Sequence, residues 1–151
     1  MKQYVARLEK DFSLIEHGFK EEEQRALTDY KSNDGEYIKK LAFLAYQSDV
    51  YQVRMYAVFL FGYLSKDKEI LIFMRDEVSK DSNWRVQEVL AKAFDEFCKK
   101  TGYEKALPII DEWLKSSNLH TRRAVTEGLR IWTNRPYFKE NSNEAIRRIA
   151  N

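Results

Sequence analysis

At 151 residues the chain has room for one continuous core and not for two independent ones. A hydrophobic share of 44% beside 33% charged residues excludes a disordered chain, and five glycines with two prolines are too few turn residues for a β-sandwich. The single cysteine, Cys98, excludes an internal disulfide, and the net charge of +2 is too small to name a partner.

No apolar run reaches the roughly 18 residues of a spanning helix, and Met1-Lys2-Gln3-Tyr4 does not open a signal peptide. A cytoplasmic protein is expected. Charge is unevenly spread: Leu119–Asn151 holds seven Lys and Arg against three Glu, so this third is basic in a nearly neutral chain. A basic end points to an anionic partner.

In chain order, periodicity predicts two leading helices over about 3–16 and 19–31, divided near Gly18. Asn33-Asp34-Gly35 breaks the pattern. Helices then follow over about 35–47, 50–64, 67–79, 83–99, 103–115 and 119–132. After Asn134-Arg135-Pro136 a last helix covers about 142–149.

Three of these helices superpose. Asp49-Val50-Tyr51 running on to Phe61, Ser82-Asn83-Trp84 running on to Phe94, and Ser117-Asn118-Leu119 running on to Leu129 stand 33 and 35 residues apart. Asp49, Ser82 and Ser117 are the expected N-caps, since their side chains can accept from the open N–H groups of a first turn. Upstream, Leu41, Met74 and Ile109 lie eight residues before the caps, and Ala45, Val78 and Trp113 four before, so each set lines one helical face. One such pair cannot bury its apolar stripe alone, and neighbours must stack. The expected fold is therefore all-α, a superhelix (solenoid) of HEAT-like repeats in one domain. Its repeats fall at about 35–65, 67–99 and 103–132, behind leading helices at 3–31.

The register isolates a column. Met55, Glu88 and Arg123 hold equivalent places, each four residues after Tyr51, Trp84 or Leu119 and so on the same helical face. Residue types alone leave two readings. Trp84 is core and Glu88 bridges Arg123 between repeats, or the three residues form a site on one wall.

Asn83-Trp84-Arg85-Val86-Gln87-Glu88 with Ala93-Phe94-Asp95, and later Thr121-Arg122-Arg123-Ala124-Val125-Thr126-Glu127-Gly128-Leu129-Arg130, resemble the signatures of bacterial HEAT-like-repeat DNA alkylation repair proteins. That family includes the AlkD and AlkC types of alkylpurine DNA glycosylase. The resemblance implies excision of cationic N-alkylated purines, of the 3-methyladenine and 7-methylguanine type, from a duplex in a concave basic groove. No cofactor and no metal are expected. The resemblance assigns Glu88 as the catalytic carboxylate, where the AlkD type carries Asp. Trp84 and Arg123 would contact the lesion nucleotide and DNA, with Arg122 and Arg130 near phosphates. Family members run longer than this chain, so a shortened member or a fragment is expected. The alternative is a non-catalytic HEAT-like module that binds DNA or protein.

Other features carry less. His17 and His120 are far apart and predict no metal site. Cys98 reads as packing, as do Tyr56, Phe59, Phe61 and Tyr63 in a helix apolar nearly all round. Glu21-Glu22-Glu23 reads as a solvated charge run. Ile146 and Ile149 predict a homotypic contact through the C-terminal helix.

Overall fold

The computed structural model describes residues 1–132 and 142–150. Among them every regular element is helical: α1 (Lys2–Phe12), α2 (Lys20–Ser32), α3 (Gly35–Tyr46), α4 (Tyr51–Tyr63), α5 (Lys68–Asp76), a short 3-10 turn (Val78–Lys80), α6 (Trp84–Thr101), α7 (Tyr103–Leu114), α8 (Leu119–Trp132) and α9 (Ser142–Ala150).

The second helix of each pair packs on its counterpart in the next, α2 on α4, α4 on α6 and α6 on α8, so these four form one continuous wall. The first helices brace it from the other side, α3 against α4 and α7 against both α6 and α8. Of the upstream residues that superposed in the sequence, all but the half-buried Ile109 form the buried seam. Leu41, Ala45, Met74, Val78 and Trp113 are all buried, and Trp113 stacks on Phe94 at a centroid distance of 4.2 Å. Helix α4 lies in the middle and is buried almost all round. At Gly62 it comes so near α6 that a Cβ would stand 3.0 Å from the Ala93 Cα; only glycine fits such an approach.

The loops entering α4, α6 and α8 share one hydrogen-bond device. Ser48 Oγ, Asp81 Oδ1 and Ser116 Oγ each accept the backbone N–H two residues on, from Val50, Asn83 and Asn118, at 3.0–3.1 Å. The carbonyls of the same three residues accept from side chains six residues on, Arg54, Gln87 and Arg122, at 3.1, 2.7 and 2.7 Å. This bracket moves the helix starts. Asn83 and Asn118, rather than Ser82 and Ser117, cap the first turns by accepting from Arg85 and His120 N–H at 2.9 Å. Helix α4 starts after Val50 without a side-chain cap, and Asp49 does not fill that place.

Two further expectations are corrected. Helix α1 stops at Phe12, short of residue 16. The helix expected over 67–79 ends at Asp76 and tightens into the 3-10 turn. Its Arg75 carbonyl accepts the hydroxyls of Ser79 and of Thr121 on α8, so a tertiary donor occupies the acceptor that the next helical N–H would use.

Candidate nucleic-acid interface on the α6–α8 wall

Trp84 is the first residue of α6, and its indole is 62% exposed rather than part of the core. Glu88 is exposed one turn later, and Arg123 is exposed at the matching place on α8. Among the described residues no ion pair joins Glu88 to Arg123. The bridging reading therefore falls, and the column presents exposed side chains along the wall. On α4 the same column is closed, for Met55 is buried and Phe59 next to it lies under Phe19, 5.9 Å between ring centroids. The open wall thus begins at α6.

Arg122 behaves differently from Arg123. It is half-buried and its Nη1 holds the Ser116 carbonyl, so it anchors the loop that starts α8. Arg130 belongs to α8, but its side chain lies outside the described residues. Beside Arg123 an open cavity of about 690 Å³ is lined by Leu119, Arg123 and Thr126 of α8, Lys115 just after α7, and Arg147 of α9. Arg148 also reaches it but is tied to Asp111 at 2.8 Å and to Glu144 at 2.7 Å. Ile146 is 57% exposed, whereas the Ile149 side chain lies outside the described residues.

Arg85, Tyr51 and Glu22 were assigned no site role from sequence. Arg85 lies with its guanidinium carbon 5.2 Å from the Trp84 ring centroid and 5.7 Å from that of Tyr51, and its Nη1 donates to the Tyr51 hydroxyl at 3.0 Å. Glu22 of α2 is fully buried with neither carboxylate oxygen hydrogen-bonded. Burial pushes its carboxyl from the ordinary 4.5 up to about 7; neighbouring Glu21 adds to this and Arg85 opposes it. The expected solvated run is thus half wrong: Glu21 faces water, while Glu22 turns into the α2–α4 contact. Tyr51 heads the 51/84/119 column, which is the signal that could have found it. For Glu22 there was none.

Cys98 is buried, and desolvation holds its thiol well above the usual range, which suits a packing residue. Among the described residues no three His, Cys, Asp or Glu gather as metal ligands, and no helix is long and apolar enough to cross a membrane.

An all-helical repeat protein with an open wall carrying tryptophan, carboxylate and arginine is the class this geometry defines. The chain belongs to the DNA alkylation repair enzyme family, whose match spans residues 13–151. Two solved structures are similar to it. A crystal structure of AlkD2 from Streptococcus mutans is 97% identical with a TM-score of 0.97, covering 99% of this chain and 72% of that one. A crystal structure of smu.31 from Streptococcus mutans UA159 is 93% identical with a TM-score of 0.94 and the same coverage. No curated protein matches the chain significantly.

Proposed function

We propose that the α6–α8 wall receives duplex DNA and that the protein excises cationic N-alkylated purines from it, in the cytoplasm and without a cofactor. The carrying observation is the exposure of Trp84 and Glu88 on one face of α6, with Arg123 exposed at the matching position on α8.

The residue types suit that chemistry. An N-alkylated purine already carries positive charge, so its N-glycosidic bond breaks with the electron pair passing to the base and no acid is required. Positive charge then grows on the sugar. A carboxylate at Glu88 stabilises that oxocarbenium character, directly or by orienting the water that attacks C1′ and passes its proton to solvent. The Trp84 indole face attracts the cationic base. The Arg123 guanidinium fits a phosphate through its planar fork.

A second reading is favoured by one observation. Glu88 is open to water, and a carboxylate in water is worth less to a developing charge than one in an enclosed site. On that reading the wall binds DNA without cleaving it.

The DNA-binding part has its own test. Arg123→Ala should weaken duplex binding and reduce the slope of log K against log salt by about 0.9, the contribution of one phosphate contact. An unchanged slope would remove Arg123 from the interface.

A further inference from the structure

Most of the half-buried or buried arginines in the described chain are answered by carboxylates. Arg54 pairs with Asp81 at 2.9 Å, Arg75 with Asp76 at 2.8 Å, Arg148 with Asp111 at 2.8 Å and Arg25 with Asp11 at 3.1 Å. Arg85 is half-buried and has no such partner among the described residues. It is held by aromatic groups instead, between the Tyr51 and Trp84 rings, with one N–H on the Tyr51 hydroxyl. A guanidinium has five N–H groups, so this leaves most of its fork unused. Glu22, a carboxylate whose field reaches Arg85, is buried on α2 and forms no ion pair with it among the described residues.

The preceding repeat makes a contrast with Arg85. Its equivalent on α4, Gln52, reaches back to the Ser13 and Ile15 carbonyls at 3.4 and 2.8 Å and is fully engaged in the stack. Arg85 also reaches back one repeat, but to a single phenol.

We propose that Arg85 binds a DNA phosphate, that of the nucleotide stacked on Trp84, and that Tyr51 and Trp84 pre-position its fork for it. This rests on the reading of the α6–α8 wall as the DNA face. The aromatic sandwich removes the rotamer freedom that a surface arginine would lose on binding. The charge left without a carboxylate partner supplies the attraction. Recognition of the base on the indole is thereby linked to the backbone of the same strand.

The experiment uses two duplexes carrying one 7-methylguanine, with and without a neutral methylphosphonate at the adjacent phosphate. Wild-type protein should bind the neutralised duplex about tenfold more weakly. Arg85→Met should bind the unmodified duplex about tenfold more weakly than wild type and respond little to the methylphosphonate. Arg85→Lys should recover most of the salt slope but only part of the affinity, since the charge remains and the fork is lost. Tyr51→Phe should keep the salt slope and weaken binding by a smaller factor. Circular dichroism verifies that each variant is folded.

If Arg85→Met loses as much affinity to the methylphosphonate as wild type does, at every position around the lesion, the Arg85 contact is overturned. In that case an Arg123→Ala effect would leave the DNA wall standing. If Trp84→Ala, Arg85→Met and Arg123→Ala all bind like wild type, the DNA wall and the Arg85 contact fall together.

Discussion

Replacing Asp81 by alanine is expected to cost about 4 kcal/mol and to lower Tm by roughly 10 °C. This carboxylate sits at the crossing of three elements. Its Oδ2 accepts from Arg54 Nε at 2.9 Å and from the Tyr46 hydroxyl at 2.8 Å, while Oδ1 caps the Asn83 N–H at 3.0 Å. The Asp81 side chain is only 4% exposed and that of Arg54 17%. Alanine would leave a guanidinium, a phenol and a backbone N–H without their acceptor in a dry place, and the unmet desolvation of these donors dominates the loss. Asp81→Asn keeps an acceptor for two of them and should recover about half. Because Asp81 sets the start of α6, its loss should also disorder Trp84 and weaken duplex binding. Thermal unfolding of the three proteins decides it, and a drop under about 1 kcal/mol for alanine would contradict the account.

The second large effect comes from Glu22, and its sign depends on pH. The folded carboxyl is raised to about 7 from an ordinary 4.5. Between those values the folded state holds a proton that the unfolded chain has released. Stability is therefore fully present below about pH 4.5, falls as pH rises towards 7, and stays at the lower level above it. The difference comes to about 3 kcal/mol, from about 1.4 kcal/mol per pKa unit. Glu22→Gln resembles the protonated acid and should match wild type near pH 5. Near pH 8 it should be more stable by about 3 kcal/mol, a Tm gain of roughly 8 °C. An equal gap between the two proteins at both pH values would show that Glu22 is not buried as an unpartnered acid.

These two residues also mark where sequence reading succeeds and stops. The repeat register was legible because it is carried by apolar residues at helical spacing. Leu41, Ala45, Met74 and Trp113 are the buried seam, and the same register set Glu88 and Arg123 in matching places on packed helices. The choice of Trp84, Glu88 and Arg123 as a candidate site came instead from the family resemblance of their motifs, since the register alone left it open. Asp81, by contrast, gained no weight in the sequence, because its partners Tyr46 and Arg54 lie 35 and 27 residues away and are joined to it only by the stack.

Glu22 was misread because a run of three acids looks solvated whichever way it faces. A helix turns each successive residue by about 100°, and only the packing of α2 on α4 decides which one points inward. The break after Asp76 was hidden likewise, since the donor that causes it, Thr121, belongs to a helix 46 residues further on.

Excision is the activity proposed for the α6–α8 wall. The direct measurement is release of free base from duplex DNA containing 7-methylguanine or 3-methyladenine. Wild type should release base well above the spontaneous rate, and Glu88→Gln should release it at least tenfold more slowly with its duplex Kd nearly unchanged. Release by Glu88→Gln as fast as by wild type would contradict the role given to this carboxylate. No release by wild type, with duplex binding intact, would leave a DNA-binding wall and no glycosylase.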